Sequence, residues 1–157
     1  MRTLAVGLLV LGLAGCQSGA HKVVSSERAR FYIEASDGQS ELLTLPRSGV
    51  QISVMPKPVF TEYDFVNVEM AQSEEGKCLE FQFTPAAARD LYKLTVANPG
   101  RRLVLVLGDV AFGARRIVRP VDTGTLFVFV EVPETTLPAL VVSLKETCAL
   151  LQPPASK

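Results

Sequence analysis

The sequence is short of the residues that most enzymes and metal sites use. Its 157 residues include one histidine, three cysteines and no tryptophan. His21 lies in a polar segment, so we expect no serine or cysteine nucleophile to have a histidine held against it, as a catalytic triad requires. A zinc site needs three or four His, Cys or carboxylate ligands, and the His and Cys residues do not cluster. The sequence therefore predicts a protein that is not an enzyme and that has no metal or cofactor.

Other functional signatures are also missing. No GxGxxG or phosphate-loop motif occurs, since the glycines of residues 108–113, GDVAFG, have the wrong spacing. Glu74 and Glu75 precede Gly76, a pattern typical of a solvated turn rather than of paired catalytic carboxylates. The chain has 16 basic and 16 acidic residues. Nucleic-acid binding normally needs a basic excess, so we expect no nucleic-acid partner.

The apolar run at the N-terminus, residues 4–13, is too short for a transmembrane helix, which needs about 18 residues or more. A basic start and small residues at the end of the run are typical of a secretory signal peptide. Residues 13–16, LAGC, resemble the bacterial lipobox, whose cysteine is joined to diacylglycerol before cleavage. The resemblance implies a signal peptide at 1–15 and lipid on Cys16. Because Gln17 rather than Asp follows, it implies a periplasm-facing lipoprotein of the outer rather than the inner membrane.

Composition divides the remaining chain into three parts. Residues 16–28 are small and polar apart from one Val-Val pair, which predicts a tether between lipid and domain. Residues 29–151 contain the regular apolar patterns of a single folded domain. The last six residues, 152–157, read QPPASK and predict a flexible tail.

Short runs rich in Val, Ile, Phe and Tyr, separated by Pro, Gly and Ser, predict β-strands. These runs are residues 31–34, 49–55, 63–70, 112–118 and 125–132. Residues 77–83 alternate strictly, with Leu79 on a buried face and Cys78 with Glu80 on a wet face. Residues 101–109 form a near-continuous apolar strand, which we expect to be covered on both faces.

Two helices are predicted. The first has Thr84 as its cap and Pro85 at its first position, and Asn98, Pro99 and Gly100 end it. The second begins near residue 136 and has an apolar stripe formed by Leu137, Leu140, Val141, Leu144 and Cys148. The order of elements predicts an α+β fold, in which both helices pack on one face of a largely antiparallel sheet.

Residues 83–117 resemble the head of the first periplasmic domain of SecD, the accessory subunit of the bacterial protein-export channel. The family pattern runs approximately Phe-Thr-x-x-Gly-Ala, a helix-closing Thr, Asn-x-Gly-(Lys/Arg)-x-Leu, an apolar strand with Asp-Gly, and Ser-Ala-Pro. Matching positions are Phe83, Thr84, Ala88, Thr95, Asn98, Gly100, Arg101, Leu103, Leu107 and Ala114.

This chain departs from the SecD pattern in two places. Gly108-Asp109 stands where the family has Asp-Gly, and Arg115 stands where Pro is usual. SecD also carries membrane helices that couple export to the proton gradient, and this sequence has none. The resemblance implies the head fold and contact with polypeptides or envelope partners, without proton-driven pulling.

The two remaining cysteines leave two interpretations open. In an oxidising compartment Cys78 and Cys148 are candidates for a disulfide, worth about 4 kcal/mol in the chain-entropy model. However, Cys78 falls on the wet face of its strand and Cys148 on the apolar stripe of the last helix. The alternative is two separate, unreactive thiols.

Basic and aromatic residues supply the remaining site candidates. If residues 101–109 pair with 112–118, a basic patch forms that suits an acidic partner or lipid phosphates; it comprises Arg101, Arg102, Arg115, Arg116 and Arg119. Five aromatic residues are expected in the core rather than on a ligand platform; these are Tyr63, Phe65, Phe112, Phe127 and Phe129.

Two functional hypotheses fit these patterns. The first is a non-enzymatic binding or scaffold lipoprotein with a protein partner in the cell envelope, contacted through an exposed strand edge. The second is an inhibitor lipoprotein that blocks an envelope or cell-wall enzyme with a protruding loop. Candidate loops are residues 56–61 and 122–125.

Overall fold

The structure, a computed structural model, describes residues 28–152, so the predicted signal peptide, the lipidation site at Cys16 and nearly all of the tether lie outside the described residues. The strands are β1 (Ala29–Ile33), β2 (Glu41–Thr44), β3 (Gln51–Val54), β4 (Phe65–Ser73), β5 (Gly76–Phe83), β6 (Arg102–Leu107), β7 (Val110–Arg116) and β8 (Thr125–Val128). The helices are α1 (Pro85–Ala97) and α2 (Leu137–Leu151), with short 3-10 turns at Glu62–Asp64 and Glu134–Thr136.

The strands form three antiparallel sheets rather than one. Two have three strands, in the orders β1-β6-β7 and β4-β5-β8, and the third is the β2–β3 hairpin. Isolated bridges join them, between Glu34 and Val54 and between Gly113 and Val130. The predicted α+β fold with antiparallel strands and two helices is therefore confirmed, although the expected single sheet is divided.

Both helices pack into one main core. Ala87, Leu91 and Thr95 are the buried residues of α1, and the whole predicted stripe of α2 is buried. Phenylalanine rings fill the centre; Phe31, for example, meets Phe81 edge-on at a centroid distance of 5.1 Å. Such pairs add about 0.5–1.5 kcal/mol to the area that they bury.

Strand β6 is buried on both faces, as its continuous apolar sequence predicts. Leu103 and Leu105 point into the main core. Val104 and Val106 point the other way, into a second cluster beneath the β2–β3 hairpin. The front face of β6 is therefore covered by the main core and its back face by the β2–β3 hairpin.

The start of α1 is capped as predicted. The Thr84 side chain accepts a hydrogen bond from the Ala87 N–H at 3.2 Å, and Pro85 occupies the first turn. At the other end, the Asn98 side chain donates to the Leu94 carbonyl at 2.8 Å. These two side chains therefore determine where α1 begins and ends.

Several predicted boundaries of strands and of the tail differ from those in the structure. The predicted strand at 63–70 begins only at Phe65, because Asp64 closes a 3-10 turn by accepting from the Thr61 N–H at 2.7 Å. The strand predicted at 125–132 stops at Val128, and β2 is absent from the sequence prediction. Gln152, assigned to the tail, donates its side chain to the Phe65 carbonyl at 2.8 Å and so belongs to the folded part.

Candidate functional site

A cleft opens where β7 and β8 separate. The strands meet at Gly113 and Val130, and beside this bridge the Glu131 N–H donates to the Phe112 carbonyl at 2.7 Å. A Cβ atom on Gly113 would lie only 2.1 Å from the Phe129 carbonyl oxygen, so the close approach requires glycine. Beyond this contact the strands diverge and leave a cavity of about 580 Å³. We call this space the β7–β8 cleft.

The closed end of the cleft is held by α1. The Thr95 hydroxyl donates to the Leu91 carbonyl at 2.8 Å and accepts from the Val121 N–H at 3.0 Å. This contact fixes the loop between β7 and β8 against the helix. Prominent lining residues are Tyr92, Thr95, Arg115, Arg116, Val118, Arg119, Asp122 and Phe127.

Main-chain groups of β8 point into the cleft. The Phe83 N–H donates to the Gly124 carbonyl at 2.9 Å, so this pair is hydrogen-bonded in the antiparallel ladder of β5 and β8. Hydrogen-bonded pairs alternate along such a ladder. Phe127, three residues after Gly124, therefore turns its N–H and C=O away from β5 and toward the cleft.

The opposite wall of the cleft shows the same feature. The Ile117 N–H donates to the Arg101 carbonyl at 2.8 Å, so the next pair, which includes Arg116, is not hydrogen-bonded to β6. Within residues 28–152, no hydrogen bond reaches the main-chain N–H or C=O of Arg116 or of Phe127. Both walls therefore carry unpaired strand edges.

Three arginines surround the cleft. Arg115 is half-buried, whereas Arg116 and Arg119 are exposed. In the described part of the chain no carboxylate oxygen lies within 4.0 Å of any of them. Asp122 is the acidic residue of the lining. Arg116 donates its side chain to the Gly100 carbonyl at 2.7 Å and helps to lower the pKa of the Glu34 carboxyl. The positive charge left to attract anionic groups is therefore that of Arg115 and Arg119.

The predicted basic patch is divided by its local contacts. β6 and β7 do pair, with Arg102 opposite Arg116. However, Arg102 forms a two-pronged ion pair with Glu34, whose hydrogen bonds lower the pKa of the Glu34 carboxyl. Arg101 donates to the Asn98 side chain at 3.0 Å. Arg116 donates to the Gly100 carbonyl at 2.7 Å. Among the described residues, Arg115 and Arg119 form neither an ion pair nor a side-chain hydrogen bond, and a functional role for the patch stays a prediction.

The prediction that five aromatic residues lie in the core is partly wrong. Phe65 is fully buried as expected, but Tyr63 is 65% exposed and Phe127 is 41% exposed. Tyr63 lies in the 3-10 turn before β4 rather than in a strand. Phe127 alternates with the core residues of β8 and so faces away from them. Phe112 and Phe129 are half-buried.

A second cavity, of about 440 Å³, adjoins the β7–β8 cleft and shares Arg115 and Phe127 with it. It extends along the outer face of the sheet toward Glu74 and Glu75 at the β4–β5 turn. We call the two adjoining cavities the groove. Arg116 and Arg119 lie at its cleft end, Glu74 and Glu75 lie at the other end, and Arg115 lies where the cavities meet.

The prediction that Cys78 lies on a wet strand face is wrong. Its side chain points away from Leu79, as the alternation requires, but the residue is only 1% exposed. The reason is that Arg115 and Phe129 lie beside it on that face. Its thiol is directed to the Ala71 carbonyl at 3.7 Å.

The two cysteines are both free and buried in the structure. Cys148 lies on α2 in the main core, next to Phe65 and Val68. Burial raises the pKa of both thiols, which lowers the thiolate fraction that reacts. The structure thus has the arrangement of two separate, unreactive thiols.

The two loops proposed for an inhibitor differ in exposure. Residues 56–61 are held against β1, because the Val59 N–H donates to the Phe31 carbonyl at 2.7 Å and Phe60 is buried. They do not form the protruding loop that an inhibitor would need. Residues 122–125 border the β7–β8 cleft instead.

Two further properties concern residues 28–152 only. No group of three or more His, Cys, Asp or Glu residues in this range is arranged to hold a metal ion. None of its helices combines the length and the apolar composition needed to cross a membrane.

Solved structures of SecDF share this fold. SecDF in a super-membrane-facing form matches with a TM-score of 0.59 and 18% identity, over 76% of this chain and 19% of that chain. A structure of SecDF described as a membrane component that enhances protein export matches with a TM-score of 0.58 and 16% identity. The match covers 76% of this chain and 62% of that chain. SecDF from Thermus thermophilus, a translocon-associated membrane protein, matches with a TM-score of 0.52 and 17% identity. The match covers 84% of this chain and 21% of that chain.

These similarities show the fold. Residues 28–152 have a SecD-like head fold, as the resemblance of residues 83–117 predicts. The chain spans 19%, 62% and 21% of the three SecDF chains. No protein-family model and no curated protein matches the sequence.

Proposed function

We propose that this protein is a non-enzymatic, lipid-anchored binding module of the cell envelope, whose partners are polypeptides linked to protein export or envelope assembly. The observation that carries the proposal is the β7–β8 cleft, in which Arg116 and Phe127 present unpaired main-chain groups from two strand edges. Open strand edges bind extended chains by adding a strand to the sheet.

The fold supports the link to export. A solved SecDF structure with this fold is described as a component that enhances protein export. Lipid on Cys16 would hold the domain near an envelope partner, since each buried methylene of an acyl chain contributes about 0.8 kcal/mol and two or more chains anchor stably.

The chemistry of the cleft favours binding over catalysis. Arginine is effectively always protonated, so it cannot serve as a general base, and the remaining lining is mostly hydroxyl, aromatic and aliphatic. Main-chain edges and fixed positive charges suit recognition of a polypeptide. The Gln17 that follows Cys16 favours the outer membrane, with the domain facing the periplasm.

The proposal is tested in intact cells with a fatty-acid probe and a proximity label fused to the C-terminus. We expect wild type to incorporate the probe and the Cys16→Ser variant not to, and we expect the wild-type label to mark export or envelope-assembly proteins. An unmarked protein that fractionates with the cytosol would contradict the anchor. A label pattern indistinguishable from that of an unrelated lipid-anchored domain would contradict the binding role.

A further inference from the structure

We propose that the β7–β8 cleft binds an extended polypeptide segment as an added strand, with a carboxylate side chain of that segment on the cleft arginines. This inference rests on the proposed function and names the chemistry of its partner. It assigns main-chain recognition to the edges at Arg116 and Phe127, and charge recognition to Arg115 and Arg119.

The main-chain part follows from the ladder geometry. The N–H and C=O of Phe127 face away from β5, and those of Arg116 face away from β6, with no partner inside the described chain. Arg116 and Phe127 are exposed residues, so water or an added strand supplies the partners of these main-chain groups. The cavity of about 580 Å³ leaves room for the strand.

The charge part follows from what surrounds these edges. Arg115 and Arg119 line the cleft with no carboxylate within 4.0 Å among the described residues, whereas Arg102 just outside is already paired with Glu34. Guanidinium groups bind carboxylates with two parallel hydrogen bonds, which is stronger and more directional than a single contact. An acidic side chain is the natural counterpart.

The groove also limits which side chains the bound segment can carry. At its other end lie Glu74 and Glu75, which repel a second carboxylate. Phe127, which is 41% exposed, lies where the two cavities meet, and Val118, which is 71% exposed, lines the cleft, so apolar side chains of the segment have surfaces to cover. The segment should therefore combine a carboxylate at the arginine end with apolar residues beside it.

The test uses the purified full-length protein and short, end-capped fluorescent peptides of Val and Ser that carry a single Glu, Gln or Lys near one end, with binding read by fluorescence anisotropy. We expect the Glu peptide to bind about tenfold more tightly than the Gln peptide, and the Lys peptide more weakly still. N-methylation of alternate amides in the Glu peptide should abolish binding, because it removes main-chain donors but keeps the side chains.

Variants locate the site. R115Q/R119Q should weaken the Glu peptide about tenfold, to the affinity of the Gln peptide. The matched control K57Q/R89Q removes the same charge from exposed residues outside the groove and should leave the affinity unchanged. Circular dichroism confirms that both variants fold, and the N-methylated peptide tests the inference without any variant.

Three results would overturn the inference. These are equal affinity for Glu and Gln peptides, unchanged affinity in R115Q/R119Q, and undiminished binding of the N-methylated peptide. If no peptide binds while proximity labelling still finds export proteins, the cleft assignment fails and the proposed function stands. If neither finds a polypeptide partner, both fail.

Discussion

Replacing Gly113 with alanine tests the contact that determines where β7 and β8 separate. The new Cβ would lie 2.1 Å from the Phe129 carbonyl oxygen and 3.1 Å from the Val130 Cα, and neither main-chain atom can rotate away. Carbon–oxygen contacts normally lie at about 3.3 Å, so the strands must part by about 1 Å. Overpacking of this kind costs about 1–3 kcal/mol, and loss of the adjacent Glu131–Phe112 hydrogen bond costs about 1 kcal/mol more.

Gly113→Ala should therefore lower the free energy of unfolding by about 2–4 kcal/mol, which corresponds to a decrease in Tm of about 8–16 °C. Urea unfolding followed by circular dichroism measures it. The matched control is Gly108→Ala, where φ is +60° but nothing lies within 4 Å, so the cost is backbone strain of about 1–2 kcal/mol alone. A Gly113→Ala variant no less stable than Gly108→Ala would refute the close approach.

Three further predictions concern stability and reactivity. Arg102→Met should lower the free energy of unfolding by about 1–3 kcal/mol, because Glu34 loses a partner at a site that is largely buried. Since that pairing lowers the pKa of Glu34, its contribution is complete above the usual value of 4.5 and should disappear as the pH falls through the lowered pKa. Thr84→Ala should cost about 1 kcal/mol by removing the α1 cap. Cys78 and Cys148 should both be alkylated after unfolding without reductant, and neither should react with a thiol reagent in the native protein.

Each of these predictions has its own control. Glu69→Gln breaks an exposed ion pair with Lys145 and should destabilise less than Arg102→Met. A pH-independent effect of Arg102→Met would count against the Glu34 linkage. Thr84→Ser should retain the cap. A protein in which denaturant exposes no thiol until reductant is added would contain the disulfide that the structure lacks.

Local sequence pattern predicts the parts of the fold that depend on neighbours along the chain. The continuous apolar run of β6 indicates burial on both faces, and Leu103 and Val104 confirm it in the two clusters. Thr84 and Pro85 predict the start of α1 to the residue. These features depend on hydrogen bonds and periodicity within a few positions, which a single sequence displays.

The sequence does not reveal features that depend on distant residues. Strand alternation places Cys78 correctly away from Leu79, but only the tertiary structure shows that Arg115 and Phe129 lie beside it. The cleft combines residues of α1, β7 and β8. Its unpaired edges depend on which residues of β7 and β8 form hydrogen-bonded pairs with their neighbouring strands, and residue type does not show this. The sequence identifies the cluster of arginines but not that Arg102 is already paired with Glu34.

Photo-crosslinking from inside the cleft tests the central claim most directly. A benzophenone amino acid replaces Val118, which is 71% exposed in the cleft, or Tyr63, which is 65% exposed outside it, and intact cells are irradiated. We expect adducts with exported or envelope polypeptides from position 118 and not from position 63. Identical adduct patterns at the two positions, or no polypeptide adduct at position 118, would contradict the claim that this cleft is where the protein binds its partners.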